Sequence, residues 1–117
     1  EIKARVRRVQ RDMTRRRMLN DVKRATVVIT NPTHFAVALE YRREAMAAPV
    51  VLAKGVDEMA ARIRAAAREH GLPLVENVTL ARALHKSADV GDVIPAELFG
   101  AVAEVLAYLV RLKQLVL

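Results

Sequence analysis

Asn31-Pro32-Thr33-His34 is the stretch of this chain whose residue types and order carry a reaction. An Asn side chain can react with its own backbone by two routes. In deamidation, the N–H of the following residue attacks the side-chain amide. Pro32 has no N–H, so that route is closed. In the second route the Asn31 side-chain nitrogen attacks the Asn31 carbonyl carbon, a five-membered succinimide forms, and the Pro32 nitrogen leaves. The backbone is then cut between Asn31 and Pro32 without any external nucleophile. A residue before Pro is biased away from the α region. A tight turn between rigid strands can also hold the two reacting groups together. One proton must leave the attacking amide and one must reach the departing nitrogen. His34 is the nearby side chain suited to carry it near neutral pH. The Thr33 hydroxyl can bond within the turn or steady the developing oxyanion. The bland alternative is a plain turn, because Asn and Pro are ordinary turn residues.

The flanking segments are what must position this loop. Residues 25–30 (Ala-Thr-Val-Val-Ile-Thr) form a nearly continuous apolar run, which predicts a strand buried on both faces. Residues 34–41 alternate. Phe35, Val37, Leu39 and Tyr41 share one face, and His34, Ala36, Ala38 and Glu40 the other. A third strand is expected over 49–54. Gly55 should then turn the chain into a helix capped by Asp57 or a neighbour and running to Glu69 or His70. Gly71 fits its C-terminal end. Residues 72–76 predict a fourth strand, with Pro73 at a strand start or sheet edge. The order strand, helix, strand predicts a parallel crossover unit. A short helix over 80–87 follows, capped by Asn77 or Thr79. The last helix starts at Pro95 and ends near Leu112, with Leu98, Val102, Leu106 and Leu109 as its apolar stripe, widened by Phe99 and Val105. The expected fold class is α/β: a small four-stranded mixed sheet surrounded by about four helices.

The N-terminal segment differs in character. The chain of 117 residues carries net charge +7, and residues 1–24 account for all of it, with ten Lys or Arg against three acids. Residues 25–117 balance ten basic against ten acidic side chains. Ile2, Val6, Val9 and Met13 fall at helical spacing, so 1–19 reads as a helix with a narrow apolar stripe, marginal without a partner. Asn20-Asp21 is a plausible break before the first strand. The domains are therefore a basic helical linker, 1–24, and a globule, 25–117.

Several function classes have no footing. There is no Cys, and the three His (His34, His70, His85) lack metal-ligand spacing, so no metal is expected. No Gly-rich phosphate loop points to a nucleotide cofactor, and Ser87, the one Ser, stands in no nucleophile elbow. No cofactor is expected. No apolar run is long enough to span a bilayer, since 99–110 is interrupted by Glu104. A basic arm binds phosphates of any sequence. This one lacks interleaved aromatics for stacking on single strands, so nucleic-acid binding with an inert hairpin turn is the second reading.

Residues 28–41, Val-Ile-Thr-Asn-Pro-Thr-His-Phe-Ala-Val-Ala-Leu-Glu-Tyr, closely resemble the signature of the FlhB/YscU family, the switch proteins of flagellar and virulence type III export machines. The resemblance continues through 48–55 (Ala-Pro-Val-Val-Leu-Ala-Lys-Gly), 80–84 (Leu-Ala-Arg-Ala-Leu), Ile94-Pro95 and 101–107 (Ala-Val-Ala-Glu-Val-Leu-Ala). The last run looks more like the flagellar branch. Family members often carry Pro where this chain has Lys23, and Pro and Tyr near Thr79 and His85.

The resemblance implies the cytoplasmic domain of a bacterial inner-membrane protein, with four transmembrane helices upstream of Glu1 and the basic arm as membrane-proximal linker. It implies single-turnover autocleavage after Asn31, with Asn31, Pro32, Thr33 and His34 as the motif residues and no external substrate turned over. The two pieces stay together, and the cut lets the export apparatus change substrate class. The implied partners are other export-apparatus membrane proteins, export substrates and the hook- or needle-length control protein, with no nucleic acid.

Overall fold

The computed structural model describes residues 1–32 and 34–117. Helix α1 (Ile2–Asp21) is followed directly by a 3₁₀ turn, Val22–Arg24. The break expected at Asn20-Asp21 is therefore absent, and the chain becomes extended only at Ala25. Residues 1–17 are all exposed, including Ile2, Val6, Val9 and Met13. Only Met18 and then Val22 enter the core. The narrow stripe has no partner among the described residues, and α1 is anchored by its last turn alone.

Four strands follow: β1 (Val27–Asn31), β2 (Phe35–Glu40), β3 (Val50–Val56) and β4 (Leu74–Glu76). They form one sheet in the order β3-β2-β1-β4. β1 pairs antiparallel with β2, β2 antiparallel with β3, and β1 parallel with β4. The mixed four-stranded sheet is thus as expected. The crossover is wider than a simple strand-helix-strand unit. β3 and β4 run in the same sense but form opposite edges, with β2 and β1 between them. Pro73 precedes edge strand β4, and its carbonyl accepts the Val28 N–H at 3.0 Å.

Helices α2 (Asp57–Glu69), α3 (Val78–Ser87) and α4 (Phe99–Arg111) cover the two faces. The alternation of side chains divides the core as the sequence requires. Val27, Ile29, Val37, Leu39 and Val51 pack with Leu80 and Leu84 of α3 and with Val102, Leu106 and Leu109 of α4. Val28, Ala36, Ala38, Leu52 and Ala53 pack with Ala60, Ile63 and Ala67 of α2, and with Met18 and Val22. Leu52 and Ala53 share a face because the β2–β3 register jumps from Ala38↔Ala53 to Leu39↔Val51, a bulge with Leu52 as the extra residue.

The face under α2 is built of small residues, and this explains Gly55. It does not turn the chain. It lies inside β3, paired with Ala36. A Cβ there would sit 2.5 Å from Met59 Cγ and 2.7 Å from Met59 Cβ. Its missing side chain is what lets α2 lie close to the sheet. Asp57 does not cap α2 either. Val56 holds the N-cap position and no side-chain cap bond is made.

The C-terminal end of α2 agrees with the sequence. Gly71 has φ +66, Leu72 N–H donates to the Ala67 carbonyl at 2.9 Å, and Gly71 N–H to the Arg68 carbonyl at 3.1 Å. This is a Schellman motif, which needs a left-handed residue. Asn77 caps α3, its side chain accepting the Leu80 N–H at 3.1 Å. Pro95 opens a 3₁₀ turn, Ala96–Leu98, that leads into α4. Phe99, expected on the buried stripe, is 43% exposed, because the chain enters α4 through that turn at the rim of the core. No helix among the described residues is long and apolar enough to cross a membrane.

Candidate functional site

The loop lies at the tip of the β1–β2 hairpin. Asn31 is the last residue of β1, paired across the ladder with Phe35, the first of β2. Asn31 is half-buried, while Pro32 and His34 are exposed. Thr33, assigned a hydroxyl role in the turn, lies outside the described residues. The Asn31 carbonyl oxygen accepts the His34 main-chain N–H at 3.1 Å. A donor on that oxygen draws electron density from the carbonyl carbon and stabilises an oxyanion there.

Both sides of the loop are tied down from outside the hairpin. On the β1 side, the Thr30 carbonyl accepts the Asn77 N–H at 2.9 Å, at the junction of β4 and α3. The buried Thr30 hydroxyl donates to the Phe35 carbonyl at 2.9 Å, bracing the last rung of the ladder. On the β2 side, the His34 carbonyl accepts the Asp57 N–H at 2.9 Å, and Phe35 pairs with Val56. The Asp57 carboxylate also stands 3.4 Å from His34 Nδ1. Beneath the loop, the Phe35 ring packs against the His85 ring of α3, with centroids 5.1 Å apart. Burial, then the nearby Lys54 ammonium, pushes the His85 pKa below its ordinary value of 6.5, so the neutral ring is favoured on Phe35.

The structure places Asn31, Pro32 and His34 together at the hairpin tip, within four positions of one another in the sequence. It adds Thr30, Asp57 and Asn77, which the sequence reading missed as parts of the site. Asp57 follows His34 by 23 positions, and no local pattern connects them. Only the β2–β3 pairing brings the start of α2 to the hairpin tip.

A second surface lies at the other end of β2. Tyr41, Ala48, Pro49, Phe99, Ala103 and Leu106 line an open apolar recess of about 180 Å³. It holds no group able to act as nucleophile, acid or base near neutral pH.

Comparison with known proteins agrees with this architecture. The profile described as the FlhB HrpN YscU SpaS Family matches residues 1–109. A flagellar biosynthetic protein FlhB from Yersinia enterocolitica is 54% identical over 113 residues, covering 97% of this chain and 30% of that protein. The chain thus spans about a third of the length of the curated relatives it matches. The crystal structure of the cytoplasmic domain of FlhB from Shewanella putrefaciens superposes with a TM-score of 0.81 at 45% identity, over 86% of this chain and 77% of that one. A mutated EscU C-terminal domain gives 0.74 at 32% identity, over 78% and 91%. Solved variants of that EscU domain are substituted at an asparagine, at the proline next to it, and at the histidine three positions after the asparagine. With residues 1–109 of the chain matched by the profile, and the same fold in the two crystal structures, this chain belongs to the FlhB HrpN YscU SpaS family.

Proposed function

We propose that this domain cuts its own backbone between Asn31 and Pro32 by asparagine cyclisation, once per molecule. The observation that carries the reading is the Asn31 carbonyl. It belongs to the scissile bond, sits where the rigid ladder ends, and already accepts the His34 N–H at 3.1 Å. Asn31 Nδ2 attacks that carbonyl carbon, a C–N bond closes the succinimide ring, and the bond to the Pro32 nitrogen breaks. One proton passes from Nδ2 to the Pro32 nitrogen, with His34 as carrier. The main-chain N–H of His34 holds the oxyanion as it forms. Thr33 is the remaining motif residue, with its hydroxyl as an assisting group. The spacing of the substituted Asn, Pro and His in the EscU variants is the spacing of Asn31, Pro32 and His34 here, which supports the same loop as the site of interest.

The fold supports a cut that does not separate the halves. β1 lies between β2 and β4, and Val27, Val28 and Ile29 are fully buried. Each contributes on the order of 2 kcal/mol of burial to keeping residues 1–31 in place.

In the whole protein, we assign this domain to the cytoplasmic side of a bacterial inner-membrane export gate of the type III class, flagellar by the names of its relatives. The cut would free the tip and switch the class of substrate exported. The exposed basic helix α1 would be the linker nearest the membrane, its Lys and Arg drawn to anionic lipid. Export substrates and the length-control protein would meet the globule away from the cut, at the apolar recess beside Tyr41 and Phe99.

A time course of intact mass on freshly synthesised protein tests the cleavage. The wild type should yield fragments 1–31 and 32–117, the first appearing one water lighter than its hydrolysed form (a C-terminal Asn with a free carboxyl, or the isomeric aspartyl amide) because it ends in a succinimide. Asn31→Ala should remain whole. A wild-type chain that stays uncut, or a first fragment that never passes through the lighter form, overturns the mechanism.

A further inference from the structure

We propose that Asp57 is a positioning residue for the scission, holding His34 by main chain and side chain at once. This inference rests on the self-cleavage reading above.

The geometry is two-handed. Asp57 N–H donates to the His34 carbonyl at 2.9 Å, and the Asp57 carboxylate lies 3.4 Å from His34 Nδ1. The first contact extends the β2–β3 ladder one bond past the Phe35↔Val56 pair. The second reaches the ring whose proton transfer the reaction needs.

The backbone makes the choice of residue informative. Asp57 has φ +47, in the left-handed region that L residues rarely enter. Among the described non-glycine residues only Asp57 and Lys113 do so, and Lys113 lies just past the end of α4. Glycine would adopt that conformation more readily and would keep the N–H bond to His34. What glycine would lack is the carboxylate. Helix capping does not account for the carboxylate, since α2 has no side-chain cap bond. A favourable interaction with the helix N-terminus is equally open to its neighbour Glu58, which instead pairs with Arg62 at 3.3 Å. Contact with the His34 ring is what distinguishes the Asp57 carboxylate.

The chemical consequence follows from the two ring nitrogens. A carboxylate at Nδ1 accepts the proton there and leaves the Nε2 lone pair free. Nε2 then takes a proton from Asn31 Nδ2 as the new C–N bond forms and delivers it to the Pro32 nitrogen as the old one breaks. His34 ends as it began, and neither water nor a redox partner is consumed.

The test is the rate of cleavage after cell-free synthesis of the full chain, for wild type, Asp57→Gly, Asp57→Asn, His34→Ala and the Asp57→Gly/His34→Ala double variant. Asp57→Gly should slow cleavage about tenfold through loss of ring orientation, while its Tm stays equal or rises. Asp57→Asn keeps an acceptor in place and should recover most of the rate. In the His34→Ala background, Asp57→Gly should change nothing further. An Asp57→Gly chain that cuts at the wild-type rate, or one that slows equally with and without the His34 ring, overturns the proposal and leaves self-cleavage standing. A wild type that never cuts overturns the self-cleavage reading and this inference with it.

Discussion

The β1–β2 hairpin has two regions with opposite physics. Its body is fully withdrawn from water: Val27, Val28, Ile29, Ala36, Val37 and Ala38 have no measurable exposure. Its tip is open, with Pro32 exposed and the His34 side chain 64% exposed. The body is apolar and held by strands on either side. The tip is polar, and from outside the hairpin it is held through His34 by the main chain and carboxylate of Asp57. Scission needs a carbonyl that can become tetrahedral and a nitrogen that can leave, and a packed interior resists both motions. Retaining two halves as one domain needs the reverse. The hairpin separates the two requirements by a single residue, because Thr30 is buried and Asn31 is not.

The sharpest way to break this contrast is at Asn31. Asn31→Ala should abolish the cut altogether while shifting unfolding free energy by no more than about 0.5 kcal/mol, as for other substitutions outside the core. Mass spectrometry and urea denaturation read the two effects separately. A large loss of stability would mean that the tip helps to hold the fold.

Two rungs from Asn31, inside the body, the effect should invert. Ile29→Ala leaves a cavity between the sheet and helices α3 and α4 and should cost roughly 2–5 kcal/mol. Cleaved Ile29→Ala protein should release fragment 1–31 on size-exclusion chromatography at urea concentrations where the cleaved wild type stays joined.

Gly55→Ala tests the support beneath the hairpin. The new methyl group meets Met59 Cγ at 2.5 Å and the Ala60 nitrogen at 3.2 Å. Overpacking of this kind costs about 1–3 kcal/mol. Because α2 must shift, Asp57 moves with it, so cleavage should slow as well as Tm fall.

The smallest effect expected is a pH dependence beneath the tip. His85 has its pKa lowered from 6.5 by burial and by Lys54, so the unfolded chain binds more protons here than the folded one between 6.5 and the lowered value. Stability from this group is present above pH 6.5 and is lost as pH falls through that window. His85→Phe should keep the ring packed on Phe35 and flatten this part of the stability–pH profile, measured by urea unfolding.

The sequence makes the two faces of β2 plain, because alternation at residues 35–41 is strict and each face meets a different layer of helices. It also marks the loop proposed to react, since Asn31 and Pro32 suggest that chemistry by adjacency. Gly71 was legible for the same local reason, as the residue able to take φ +66 at a helix end. The misreadings share a different cause. Gly55 resembles punctuation in one dimension, and its role is visible only when α2 lies on it. Asp57 resembles a helix cap, yet its carboxylate is directed at a residue 23 positions earlier. The separation of β3 and β4 to opposite edges is likewise a property of pairing across the sheet, and no window of sequence contains it.

One measurement addresses both the proposed cut at the tip and the hold of the body. The purified wild-type domain should show a single species of full mass by native mass spectrometry. The same sample in denaturant should show two chains that meet at Asn31 and Pro32. One full-length chain under denaturing conditions, or two separate pieces under native conditions, would contradict it.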